Sequence, residues 1–228
     1  MELHRKLLVK EFTKCSLMSF AGGKELFDFC WKHVQAHRQE EFDKVLANFP
    51  KPAGNVSEAQ FTKEFVWCVL VSGFKANRVA AVFPQVLRSH QIEDREGNFL
   101  TATGNLLEDR QLPQVYAVWA NQLKAKAIRR LREMIAELGW EQFRLKYLEA
   151  ADPLKIAKLP FMGPALRNHL ARNLGNLQVV KPDVHLNRLA YRYGYKDAQE
   201  MCEKVSNFAP GLNDLVLWFA SIDHGTKS

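Results

Sequence analysis

The sequence predicts an all-α protein on three observations. Apolar residues recur at helical spacing, no stretch alternates convincingly with the period of a strand, and turn-forming residues fall between the apolar stripes. The clearest stripe is Ile128, Leu131, Ile135 and Leu138, at i, i+3, i+7 and i+10, ending at Gly139 where a helix commonly stops. Similar spacing predicts helices over 25–46, 58–72, 76–90, 113–138 and 213–220. Loops are predicted at 49–54, where two prolines and a glycine cluster, and at 94–104, where Gly, Asn, Thr and charged residues break the pattern.

At 228 residues with 47% apolar content, the chain is long enough for one compact domain or two closely packed lobes, each with its own core. The longest apolar run, 65–74, is too short to span a bilayer, and the first residues lack a signal-peptide core. A cytoplasmic, monomeric protein with no membrane association is expected. Cys15, Cys30, Cys68 and Cys202 lie far apart with no C-x-x-C pair, which predicts buried reduced thiols rather than a zinc ribbon or an iron–sulfur cluster. There is no Gly-rich phosphate loop, H-E-x-x-H or G-x-S-x-G, so the common nucleotide-hydrolase, zinc-hydrolase and serine-hydrolase signatures are absent.

The net charge of +7 makes an anionic partner plausible. Between residues 121 and 175 there are eleven Lys and Arg against five Asp and Glu, a balance of 11 − 5 = 6 of the seven net charges. One basic face is expected there, although a set of solvated helix faces gives the same count.

Residues 156–175 read I-A-K-L-P-F-M-G-P-A-L-R-N-H-L-A-R-N-L-G. A short helix is predicted to end near Lys158, a tight turn to occupy 159–163, and Pro164 to open a second helix that stops at Gly175. Gly163 removes side-chain bulk where the chain turns, so backbone N–H groups at a helix N-terminus are open to a phosphate, with Arg167 and Arg172 adding charge. An ordinary corner between two core helices reads the same way.

A second element, Lys181-Pro-Asp-Val-His-Leu-Asn-Arg-Leu-Ala, begins eighteen residues after Gly163. The pairing resembles the helix-hairpin-helix DNA glycosylases, whose hairpin reads roughly L-P-G-V-G and precedes a V-D-T-H or P-D-x-H segment. The resemblance implies two helical lobes with an active-site cleft between them: 1–57 plus 180–228 as a discontinuous lobe, and 58–179 as a lobe ending in the helix-hairpin-helix at about 156–175. It matches Asp183 to the catalytic aspartate, His185 to the histidine after it, and Gly163, Ala165, Arg167 and Lys181 to the DNA-contacting surroundings. Residues 64–79 look like the family's helix and loop that enter DNA opposite a flipped base, with Phe74 as a wedge and Lys75 beside it. A Phe74 that merely caps a core helix fits the same residues.

Breaking an N-glycosidic bond passes through an oxocarbenium-like state, which a fixed carboxylate stabilises. Asp183 precedes a helix-like run, and an N-cap there favours its ionised form; N-cap aspartates are common without any chemistry. Members that also nick DNA carry a lysine in the second hairpin helix, where this chain has Ala165, so the resemblance implies a monofunctional enzyme that leaves an abasic site. Trp31, Trp67 and Trp218 are candidates for a base pocket, and His33, His169 and His185 for hydrogen bonds to the base. No cofactor enters this chemistry, although such hairpins often hold a structural monovalent or divalent ion on backbone carbonyls. Damaged bases imply repair, and modified pyrimidines of phage DNA imply defence. The competing readings are a noncatalytic helix-hairpin-helix DNA-binding module, and a bifunctional glycosylase and lyase using Lys181.

Overall fold

The computed structural model describes residues 17, 19–182 and 184–224, and among them the fold is all-helical, with a single isolated β-bridge between Glu93 and Phe99. The helices are α1 Gly23–His37, α2 Gln39–Ala47, α3 Glu58–Val71, α4 Ala76–Ser89, α5 Leu112–Val118 and α6 Gln122–Leu138. They continue with α7 Trp140–Tyr147, α8 Pro153–Ile156, α9 Pro164–Asn173, α10 Val184–Arg192, α11 Ala198–Lys204 and α12 Pro210–His224. Asp183 lies outside the described residues, as does Cys15.

The chain divides into two compact units. One is built from the described parts of Met1–Phe49 and Leu177–Ser228, the other from Pro50–Asn176. In the discontinuous unit, Leu26, Phe27, Cys30 and Val34 of α1 are buried in one core with Leu189 and Ala190 of α10 and Val216, Leu217 and Ala220 of α12. Burying side chains of this size contributes about 2 kcal/mol each before entropy is subtracted, which is what joins two distant stretches of sequence into one body. In the contiguous unit, α3 packs against α6 and α9. Phe61, Phe65, Ile128, Leu131, Ile135, Phe143 and Ile156 are all fully buried there.

Two predicted helices are each broken in two. The stretch 25–46 is interrupted at Arg38, whose φ of −133° departs from helical values. There Arg38 N–H donates to Val34 O, closing α1, and Phe42 N–H donates to Arg38 O, opening α2. The Arg38 side chain donates to both oxygens of Asp223 on α12, at 2.7 and 3.1 Å, and is thus tied to a partner far along the chain. The stretch 113–138 is interrupted at Trp119, and α6 begins anew because the Asn121 side chain accepts from Lys124 N–H at 3.1 Å. At 58 and 76 the predicted starts agree with α3 and α4. The α3 start carries a capping box: Ser57 Oγ accepts from Gln60 N–H, and Gln60 Oε1 accepts from Ser57 N–H.

The loop from 91 to 105 is held by one buried residue. Arg132 donates to the carbonyls of Leu100, Gln91, Thr101 and Asn105 at 2.8 to 3.1 Å. A planar guanidinium with five donors can satisfy four backbone acceptors at once, so a polar loop packs over α6 without orphaned carbonyls at those positions.

Candidate functional site

The hairpin forms as its sequence predicts, for local reasons. Asp152 Oδ1 accepts from Leu154 N–H at 2.8 Å and starts α8. After α8 the chain makes further turn bonds, ending with Leu159 N–H to Ile156 O at 3.0 Å. Leu159 and Met162 are buried, and between them Phe161 adopts φ +66°. That left-handed conformation costs a side-chain-bearing residue about 1 kcal/mol, and the phenyl ring there is 38% exposed. Gly163 N–H donates to Phe161 O at 3.1 Å, and Gly163 then caps α9 from an extended conformation. A Cβ at Gly163 would meet nothing within 4 Å, and Gly163, Pro164 and Ala165 are all exposed, so the N-terminal end of α9 faces solvent. At the other end Asn176 N–H donates to Ala171 O and Gly175, at φ +93°, reverses the chain.

Arg167 and Arg172 fare differently. Arg167 is half-buried, and its Nε is enclosed with no acceptor among the described residues. Arg172 is buried and donates to Asn173 Oδ1, while Asn173 Nδ2 donates to Glu64 Oε1 of α3 at 2.6 Å. Asn173 therefore ties α9 to α3, and Arg172, buried beside it, is not a solvated base at the hairpin surface.

The single basic face expected over 121–175 is corrected in the same sense. Lys124, Arg132 and Arg172 are buried. Arg129 pairs with Asp109 and Glu133, Arg130 with Glu133 and Glu137, Arg144 with Glu141, and Lys155 with Glu149. Helical i,i+3 and i,i+4 spacing brings several of these acids beside their bases, which a count along the sequence does not register.

Gly73, Phe74 and Lys75 form the turn between α3 and α4, with Gly73 at φ +75°. Phe74 is 36% exposed, and its ring lies edge-on to Trp119 with centroids 5.0 Å apart. Lys124 Nζ sits 4.5 Å over the same ring and donates to Leu70 O at 2.9 Å and Ser72 O at 2.6 Å. Burial pushes this ammonium down to about 8. Its two carbonyl contacts hold the last turn of α3, so Phe74 stands on a braced turn as a part-exposed ring, with Lys75 exposed at the start of α4.

In the other unit, residues 177–182 are fixed by successive bonds. Gly211 N–H donates to Leu177 O, Gln199 Nε2 to Gln178 O, Val180 N–H to Gln199 Oε1, and Lys181 N–H to Asp214 Oδ2 at 2.8 Å. Asn187 Nδ2 donates to Pro182 O at 3.4 Å, and Asn187 Oδ1 accepts from Ala198 N–H. The residues on both sides of Asp183 are thus held, Pro182 by Asn187 and Val184 as the first residue of α10.

His185 and Trp218 line one small hollow with Leu186, Leu189, Asp214, Leu217 and Ser221. Its volume of about 10 Å³ holds at most one water molecule. Trp218 is 39% exposed at this hollow. Trp31 instead packs edge-on to Phe42 and Phe208 against the core of the same unit, and Trp67 belongs to the other unit, edge-on to Phe83. His33 Nε2 lies 2.8 Å from Asp223 Oδ2 and its Nδ1 3.2 Å from His224 Nε2, so both ring nitrogens have partners. The Arg38 guanidinium and the His33 bond hold the Asp223 carboxyl down at about 2. His169 is buried in α9.

Asp214 was hidden from sequence reasoning, because D-L-V-L-W-F reads as the apolar face of a helix. The signal in the sequence is one acidic residue within an apolar helical run, which on burial requires a hydrogen-bond partner. Among the described residues no helix is long and apolar enough to cross a membrane, and no group of three or more His, Cys, Asp or Glu is placed to hold a metal ion. An ion at the hairpin would rest on carbonyls alone; those of Leu159 and Phe161 accept from Met162 and Gly163 and keep a second lone pair each, which fits such a ligand. Protein-family models, curated proteins and solved structures were all compared with the chain, and none matches it.

Proposed function

We propose that the chain is a DNA N-glycosylase that flips a damaged or modified base and hydrolyses its bond to the sugar with Asp183, leaving an abasic site. The observation that carries this reading is the pairing of an open hairpin, Gly163 and Ala165 exposed at the start of α9, with a Lys181-Pro-Asp-Val-His segment whose flanking residues are anchored.

In the proposed reaction the hairpin N–H groups hold a backbone phosphate of the DNA. The base is extruded against the ring of Trp218, with His185 able to donate to it. As the C1′–N bond breaks, its electron pair leaves with the base and positive charge builds on the sugar, opposite the Asp183 carboxylate. A water oxygen bonds to C1′, one of its protons passes through the carboxylate, and the departing base ends protonated. Phe74, a part-exposed ring on its turn, offers an aromatic surface of the kind that enters a base stack. Ala165 offers no amine, so the product is an intact abasic strand.

One observation favours the alternative of a noncatalytic DNA-binding module: the hollow beside His185 and Trp218 has room for a water and not for a base. Digesting genomic DNA, including heavily modified phage DNA, and measuring released bases by mass spectrometry decides between them. The glycosylase reading expects one base released by the parent protein and none by Asp183→Asn. Equal DNA binding by both proteins with nothing released would establish the binding module.

A further inference from the structure

The outward face of α10, the helix that follows Asp183, is built unlike a merely solvated face. Leu186, Leu189 and Ala190 point into the core, and Val184, His185, Arg188, Tyr191 and Arg192 are exposed. At 100° per residue these five fall within an arc of about 120°. The helix itself, V-H-L-N-R-L-A-Y-R, contains no acid. Tyr191 is 65% exposed, a large aromatic surface left beside two guanidinium groups.

Resting on the glycosylase reading, we infer that this face grips the sugar-phosphate backbone of the DNA strand that carries the flipped nucleotide. Charge complementarity selects the partner: an arc with two arginines, a histidine and no carboxylate suits a polyanion. Spacing suits a strand of nucleic acid. Arg188 and Arg192 are four residues apart, so their Cα atoms are separated by about 6 Å along the helix axis, close to the rise of about 7 Å over two nucleotide steps of one strand. Tyr191 lies between them in sequence and offers a flat face to a sugar or an unstacked base, as aromatic residues do in channels for single-stranded nucleic acid. The helix begins at the residue after Asp183, so the strand held along it leads directly to the proposed reacting sugar.

The test measures the affinity of the full chain for a short DNA duplex by fluorescence anisotropy over a series of salt concentrations. Parent protein, Arg188→Ala/Arg192→Ala and the hairpin variant Gly163→Asp are compared. Two lost phosphate contacts should make the slope of log affinity against log salt shallower by about 1.8. Melting temperature is followed beside affinity; an Arg188→Gln/Arg192→Gln pair, which keeps much of the side-chain stems, repeats the test should the alanine pair melt early. An unchanged slope in both double variants, with affinity weakened by Gly163→Asp, would overturn the α10 grip and leave the hairpin reading standing. A parent protein that shows no salt-dependent affinity for DNA would overturn both. Loss of binding to phosphatidylserine vesicles with DNA affinity unchanged would assign the face to a lipid surface and overturn the inference.

Discussion

Asp214 Oδ2 accepts a hydrogen bond from the backbone N–H of Lys181 at 2.8 Å, joining the middle of α12 to the chain two residues before Asp183. The Asp214 side chain is buried, so the bond is shielded from competing water. Asp214→Leu removes the acceptor of the buried Lys181 N–H and should cost about 2 kcal/mol of stability. On the proposed reaction it should lower the turnover of excision about tenfold or more while DNA affinity stays within twofold. Urea denaturation, single-turnover excision and anisotropy read the three quantities separately. Unchanged turnover would remove Asp214 from the positioning of Asp183.

Asp183→Asn should abolish base release and leave DNA binding intact. Borohydride treatment during turnover should trap no protein–DNA adduct, because the hairpin helix carries Ala165 where a lyase has its amine. A trapped adduct that disappears in Lys181→Gln would establish the bifunctional mechanism.

Arg132→Met should destabilise the protein by about 3 kcal/mol or more, because four backbone carbonyls of the 91–105 loop each lose a donor, and among the described residues only that of Thr101 keeps another, Asn105 Nδ2. Arg132→Lys should recover little, since one ammonium with three donors cannot reproduce a planar fork. Urea midpoints give the magnitude, and amide exchange should show faster opening concentrated between residues 91 and 105.

Acid stability should depend on His90. Burial, with the charge of Arg132 as a second cause, lowers its pKa from 6.5 to about 4. A folded pKa below the unfolded one means the folded state holds the imidazole neutral. The associated stability is complete above about pH 6.5 and is lost as pH falls toward 4, by at most about 3 kcal/mol. Urea unfolding from pH 7 to 4 should show this slope in the parent protein and a flatter one in His90→Leu. A parallel pH dependence in both proteins would exclude His90 as its source.

Gly175→Ala should cost several kcal/mol. The residue sits at φ +93°, and a Cβ there would stand 2.5 Å from Pro50 O, a backbone atom that cannot swing aside. Thermal unfolding measures the loss; Gly163→Ala, where a Cβ meets open space, should leave the melting temperature within a few degrees.

The helical character of the chain and the hairpin were both legible, because each rests on local rules: stripe periodicity over 128–138, proline at the first position of α9, glycine after its last turn. Arg38 and Asn121 broke two predicted helices for reasons of opposite range. Asn121 caps its own helix, a signal present in the sequence and outweighed by the stripe around it. Arg38 is bound by Asp223, far away along the chain, and no local pattern announces that. Lys124, Arg132 and Arg172 illustrate the limit of counting charge. Each looks like a solvated base on a helix, yet each is buried, Lys124 and Arg132 on backbone carbonyls and Arg172 beside Asn173. Of the candidate site, His185 and Trp218 are brought to one hollow, while Trp31, partly buried, packs against the core of the discontinuous unit and Trp67 packs on Phe83.

The discontinuous unit also orders events during synthesis. Pro50–Asn176 is contiguous and can close its core as soon as α9 leaves the ribosome. Leu26, Phe27 and Val34 of α1 have no such liberty: the helix they pack against is α12, made nearly two hundred residues later. Until then a nascent chain carries that apolar stripe uncovered, so a product ending near residue 200 would combine a folded middle with sticky flanks and be an early target for chaperones and proteases.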